Sequence, residues 1–305
     1  MGENSKISWT HHTFNPWWGC TFVEGSPACS PCAGGKGAVC YAKTWAERVG
    51  YSETGTKFPI WGAHAERRYF GDKHWNEPLK WNRDAEKRGV MERVFCMSMG
   101  DWAEGRPDQT PHLERLWDVV LNTRNLHWLM LTKRPQLINK LCPLRTKRIW
   151  QGVTAENQHW LDLRWEHLKR VDAEIYWLSV EPMFGRLKLP ADFLALNRRA
   201  WVICGAQSGA GAVPVNIDDA RYLRDQCLNA GVWFHMKQVG HPVCRNDAGF
   251  EGDSLESWPM DTRYVELDSG YQGAPVQVRL KSRAGSDPEE WPADLRVREY
   301  PEVTA

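Results

Sequence analysis

Residues 127–135 read HWLMLTKRP. The first six make an apolar run of strand length, and lysine, arginine and proline stop it at once. Just upstream, PHLERLWDVVLNT (111–123) repeats its apolar residues at helical spacing, with Leu113, Leu116, Trp117, Val120 and Leu121 on one face. The same pairing recurs along the chain. RVFCMSM (93–99), IWQGV (149–153), IYWLSV (175–180), WVICG (201–205) and VWFHMKQ (232–238) read as further strands. HWLDLRWEHLKRV (159–171) and IDDARYLRDQCLNAG (217–231) read as helices, the second with Asp218 and Asp219 at its positive end and Gly231 as a C-terminal cap. Before the repeat begins, KTWAERVG (43–50) reads as a short helix within a mixed helix-and-loop stretch over 42–90.

Strands that alternate with helices build βαβ units and a parallel sheet. These strands are nearly continuous apolar runs, as expected of a sheet covered on both faces. The expected fold is therefore α/β, a partial or complete (β/α) TIM-type barrel. An open doubly wound sheet is the alternative, but no G-x-G-x-x-G follows the first strand, which weakens a dinucleotide-binding reading.

What ends each strand is informative. SMGD (98–101), TKRP (132–135), TAENQ (154–158), SVEP (179–182), GAQSG (205–209) and MKQVG (236–240) follow the apolar runs in turn. Barrels build their chemistry on that face. Asp101, Lys133, Arg134, Glu156, Asn157, Glu181, Gln207, Ser208, Lys237 and Gln238 would converge on one mouth. Helix caps and turns also need polar groups. Six such ends in succession favour a polar active-site mouth.

The chain has 305 residues, is 42% hydrophobic and 25% charged, and carries a net charge of +1. A near-zero charge excludes a global basic field for nucleic acid, though not a local groove. The N-terminal segment has no apolar core of a cleavable signal, and no run is long enough to span a membrane. The expected compartment is the cytoplasm, where clustered cysteines bind metal or do redox chemistry more often than they form disulfides. The barrel is expected to occupy 1–240, and 241–305, rich in Gly, Pro and acidic clusters, to form an irregular C-terminal appendage. The 18 tryptophans read first as core; Trp17, Trp18, Trp45, Trp61, Trp75 and Trp81 also fit a stacking surface for a nucleobase.

NPWWGCTFVEGSPACSPCAGGKGAVCY (15–41) places Cys20, Cys29, Cys32 and Cys40 close together. A stapled loop, a four-thiolate zinc site and an iron–sulfur cluster are all open on spacing. Three cysteines on a cubane would leave one iron for a substrate or cofactor. The other five cysteines, Cys96, Cys142, Cys204, Cys227 and Cys244, are scattered and read as core.

NPWWGC (15–20), SPAC (26–29) and CYAKTWAER (40–48), followed in order by LTKRP (131–135), GVTAENQ (152–158), SVEP, GAQSGAGAVP (205–214) and FHMKQVG (234–240), resemble a phage-encoded protein family of largely unassigned function related to the radical S-adenosylmethionine (SAM) enzymes. The resemblance implies a β/α barrel whose cysteine loop binds a [4Fe–4S] cluster and whose open iron is chelated by SAM. Reductive cleavage by an external electron donor would then give a 5′-deoxyadenosyl radical. Cys29-x-x-Cys32 keeps the family's spacing, whereas Cys40-Tyr41-Ala42 keeps its context, with AGGKGAV (33–39) as an insertion. Cys20, Cys29 and Cys32 are the favoured ligands, with Cys40 a spare or fourth thiol. By the same resemblance Ser98, Met99, Gly100 and Asp101 face the SAM amino group, and Asn157, Gln207, Ser208 and Lys237 complete the cofactor-facing set. Lys133 and Arg134 would meet a carboxylate or phosphate. Glu156 and Glu181 would meet ribose hydroxyls or the SAM amino group, or else form structural salt bridges. Gln207 and Val213 depart from the family's more usual Glu and Arg. The phage context implies modification or rearrangement of a nucleobase, such as an amino-acid-modified thymidine in DNA, an isomerase, lyase or transferase reaction. Two rivals remain: a zinc-stapled nucleic-acid-binding barrel without activity, and a glycoside hydrolase using Glu156 and Glu181.

Overall fold

The computed structural model describes residues 2–29, 40–52, 54–207, 212–213, 215–240, 243–245, 263–266, 276–282 and 284–303. In chain order its main elements are β1 (His12–Thr13), α1 (Tyr41–Arg48), α2 (Glu77–Arg88), β2 (Glu92–Cys96), α3 (Thr110–Leu121), β3 (Leu126–Thr132), β4 (Ile149–Thr154), α4 (Gln158–Leu168), β5 (Tyr176–Val180), β6 (Ala200–Gly205), α5 (Ile217–Ala230) and β7 (Trp233–Gln238). Each of the six strands read from the sequence is present within a few residues of its expected bounds. Strand β1 and helix α2 are additions to that reading. On α3, Leu113, Leu116, Trp117 and Val120 are buried as expected, but Leu121 is exposed and Val119 takes the inward place. The helix turns 100° per residue, so its apolar stripe passes Val119 before Leu121.

The seven strands lie side by side in chain order, β1 to β7, and every pair is parallel. A sheet that never reverses its order has all its right-handed crossovers on one face. The open doubly wound alternative requires a reversal and is absent here. The other face is left to close on itself.

The two faces carry different cores, as the period of two along a strand demands. Outward, Val94, Cys96, Trp128, Met130, Leu178 and Val202 pack with Leu116, Trp117, Leu161, Trp165 and Leu223 of the helices. Inward, Phe95, Leu129, Trp150, Trp177, Trp201 and Ile203 gather around Trp9. The Phe95 and Trp177 ring centroids are 6.5 Å apart although their strands are three places apart, which in a flat sheet is roughly 14 Å. The sheet is curled into a partial barrel with an aromatic floor. Gly152 permits the curl's tightest contact, because a Cβ there would stand 2.2 Å from the Trp177 indole.

Past residue 240, Val243–Arg245, Arg263–Glu266 and Val276–Arg279 join Val215–Asn216 in a small four-stranded sheet. The chain then returns along the free edge of β7. The Met236 amide donates to the Val297 carbonyl at 2.8 Å, and the Glu299 amide donates to the Phe234 carbonyl at 2.9 Å. An edge that would otherwise offer unpaired backbone groups is thereby covered. Among the described residues no helix is long and apolar enough to cross a membrane.

Candidate active site

A cavity of about 380 Å³ opens at the C-terminal ends of the strands. Its floor is the inward aromatic face, with Trp9, Phe95 and Leu131. Its rim carries Ser98, Gly100, Asp101, Lys133, Arg134, Glu181, Gln207, Lys237 and Gln238 from the strand ends, and Cys20, Cys29, Cys40 and Tyr41 from the cysteine loop and the start of α1. Three of the expected residues are elsewhere. Met99 is buried beneath α1 with Ala46 and Ile60. Glu156 is fully buried behind the wall. Asn157 caps α4, its side-chain oxygen accepting from the Trp160 amide at 3.1 Å. Cys32 and Ser208 lie outside the described residues.

The cysteine loop is fastened to the strand ends by groups that sequence reading passed over. Asn15, inside the NPWWGC stretch, accepts from the Ser98 and Met99 amides at 2.9 and 2.8 Å. The Gly19 amide donates to the Met99 carbonyl at 2.9 Å, and Gly19 bridges Gly100 in parallel. Gly19 has φ +108, and a Cβ on it would meet the Ile60 carbonyl oxygen at 2.2 Å, so only glycine fits before Cys20. Glu104 accepts from the Thr21 amide at 2.9 Å and from Arg67 at 2.6 Å. Arg67 also donates to the carbonyls of Ile60 and Gly62. This pair has no local signal in sequence, because its partners are brought together only by the fold.

Asp101 organises the opposite side. Its Oδ1 accepts from the Thr132 hydroxyl at 2.6 Å, and its Oδ2 accepts from the Lys133 amide at 3.1 Å and from Arg134 Nη1 at 2.8 Å. Arg134 Nη2 donates to the Thr21 carbonyl at 2.6 Å, and Nη1 lies 3.8 Å from the Cys20 sulfur. Lys237 pairs with Glu181 across the ends of β7 and β5. The Tyr41 hydroxyl donates to the Ser98 carbonyl at 2.6 Å, tying the residue after Cys40 to the end of β2.

Glu156 is the centre of a buried cluster with Lys133, Arg164 and the Ser26 hydroxyl. Burial opposes its charge, but Lys133 and Arg164 outweigh that and hold its carboxyl down to about 2. A carboxylate this acidic, sealed from the cavity, is neither a general acid nor a glycosyl nucleophile, so the paired-carboxylate hydrolase reading loses one of its two groups.

The described thiols fit a metal cluster in type and place. Cys20, Cys29 and Cys40 share one cavity wall, and all three are free. Burial pushes the Cys20 thiol up, Asp101 adds to this and Arg134 opposes it; burial likewise raises Cys40. Soft sulfur donors that lose their protons only to a bound cation suit iron or zinc. Among the described residues no three ligand side chains are already drawn together as a closed site. Cys96, Cys142, Cys204 and Cys227 are buried in the outer core, as expected. Of the N-terminal tryptophans, Trp17, Trp75 and Trp81 are core, Trp61 lines the cavity, and Trp45 is 44% exposed.

The chain belongs to the DUF5131 family, described as protein of unknown function, over residues 4–285. No curated protein matches it in sequence. Among solved structures it is similar to a cysteine-to-serine variant of spore photoproduct lyase, with 11% identity and a TM-score of 0.43 over 92% of this chain and 72% of that one. A variant of the same lyase with bound AdoMet and dinucleoside spore photoproduct is similar at 9% identity and a TM-score of 0.42, over 92% of this chain and 73% of that one.

Proposed function

We propose that the chain is a radical SAM enzyme that modifies or rearranges a nucleobase. The observation that carries the reading is the sharing of one cavity wall by Cys20, Cys29 and Cys40 at the strand ends of a parallel partial barrel. Cys20 and Cys29 would supply two cluster thiolates, and Cys32 or Cys40 would supply the third. When bound, a [4Fe–4S] cluster and SAM supply a 5′-deoxyadenosyl radical, with the electron coming from an external donor.

The protein's own residues orient and shield. The bridge from Gly19 to Gly100 sets Ser98, Gly100 and Asp101 beside Cys20, where the amino group of SAM would be met. Glu181, held by Lys237, offers carboxylate oxygens to ribose hydroxyls, and Gln207 and Gln238 offer amides on the same side. Arg134, clamped between Asp101 and the Thr21 carbonyl, fixes the distance from the end of β3 to the cysteine loop. Trp9, Phe95 and Leu131 make a dry floor, which protects a reactive carbon radical from quenching groups. The flat π face of a base suits that floor better than a hydroxyl-rich sugar. We assign the reaction to the cytoplasm, which supplies reduced thiols and electron donors.

Anaerobic reconstitution with iron and sulfide, followed by SAM and dithionite, tests the reading. The expected product is 5′-deoxyadenosine, lost in Cys29→Ala. A folded protein that takes up stoichiometric zinc, binds no iron and yields no product would overturn it.

A further inference from the structure

Behind Lys133 and Arg134 lies a second cleft of about 330 Å³. Phe22, Lys133 and Arg134 line both it and the first cavity, so the two are neighbours through one wall. The cleft's far side is α4, with Trp160, Arg164 and His167.

Helix α4 is turned against its own composition. Leu163 is 45% exposed, whereas Arg164 is 1% exposed. Burying a guanidinium while exposing a leucine runs against the usual preference of both side chains, so the arrangement needs a reason. Glu156 is only part of one. Arg164 uses Nη1 alone, donating to the Thr154 carbonyl at 2.7 Å and to Glu156. Its Nε and Nη2 are buried with no partner among the described residues. These two N–H groups form one edge of the guanidinium fork, the edge that meets two oxygens of a phosphate in parallel. The fork is held in plane by Trp160, whose ring centre is 4.3 Å from the guanidinium carbon. The charges add to this. Among the described residues Lys133 and Arg164 pair with Glu156 and Arg134 pairs with Asp101, so three positive groups share two carboxylates.

We propose that the second cleft seats a phosphate group of the substrate, gripped by the Nε–Nη2 edge of Arg164 with Lys133 and His167 beside it, while the attached nucleoside reaches the first cavity past Phe22. The inference rests on the nucleobase reading given above and adds the phosphorylated state of the substrate and its point of attachment. The phosphate is either the terminal group of a nucleotide or a diester in a polynucleotide. Its seat is the same in both.

Isothermal titration of the full chain with thymidine, thymidine 5′-monophosphate, a thymidine dinucleotide and inorganic phosphate tests the subsite without any turnover. Both phosphorylated ligands are expected to bind about tenfold or more tightly than thymidine, with inorganic phosphate competing. Arg164→Lys, which keeps a cation for Glu156 but removes the fork, should abolish that advantage. His167→Gln, at a half-buried position, should reduce it about threefold in a fold of unchanged thermal midpoint. Preference for the dinucleotide assigns the diester, and equal binding of the monophosphate assigns the free nucleotide. Equal affinity for thymidine and its phosphates overturns the subsite, as does a phosphate preference that survives Arg164→Lys. A chain that keeps the preference but makes no 5′-deoxyadenosine retains the subsite and loses the radical reading instead.

Discussion

Arg67 and Glu104 form an ion pair of 2.6 Å with side chains 0% and 3% exposed, and both hold Thr21, the neighbour of Cys20. Arg67 lies between α1 and α2, and Glu104 follows β2, so the pair locks the cysteine loop to the sheet. Removing one partner strands a buried charge, which costs about 3–5 kcal/mol. Arg67→Ala should therefore lower the urea midpoint sharply and reduce iron uptake. An unchanged midpoint would show that the loop is held without this pair.

Glu156 gives the fold a definite acid response. Its carboxyl is held at about 2, below the ordinary 4.5, chiefly against burial by Lys133 and Arg164. A lowered folded-state value means the stabilisation is fully present above 4.5 and drains away as pH falls towards 2. Glu156→Gln should be less stable near neutral pH and should lose less stability across that window. Parallel stability curves for the two proteins would contradict this.

Gly152 has no room for a side chain. A Cβ there stands 2.2 Å from the Trp177 ring, which is itself walled in by Trp9 and Trp201. Gly152→Ala should destabilise by about 1–3 kcal/mol through overpacking, read from the denaturant midpoint. A neutral effect would mean the aromatic floor is slack rather than packed.

The cover on β7 is a separate device. Removing 297–303 would expose the backbone edge that Val297 and Glu299 now satisfy and would uncover Trp201 and His235 beneath Tyr300. The shortened chain should associate, with light scattering reporting species heavier than the full-length protein. A monodisperse shortened chain of unchanged size would show that the edge needs no cover.

The strand ends were legible because each apolar run stops abruptly in charge or glycine, and that break is a local property. Asp101, Lys133, Arg134, Glu181, Gln207 and Lys237 duly share one cavity. Glu156 and Asn157 obey the same local pattern but face away. One is captured by Arg164 from the next helix, the other by the backbone of α4. Helix α2 was hidden because EPLKWNRDAEKR turns only Pro78, Trp81 and Ala85 inward, too few to mark a period. Arg67, Glu104 and Arg164 were invisible for another reason: nothing in their local sequence tells which charged residue the fold will bury against an opposite charge on another element.

The most direct test of the central claim is electron paramagnetic resonance of the anaerobically reconstituted, reduced chain, recorded with and without SAM. The account predicts a cluster signal at one cluster per chain that changes on adding SAM and is absent in Cys29→Ala. A folded chain that shows no such signal and carries zinc on the same cysteines would contradict it.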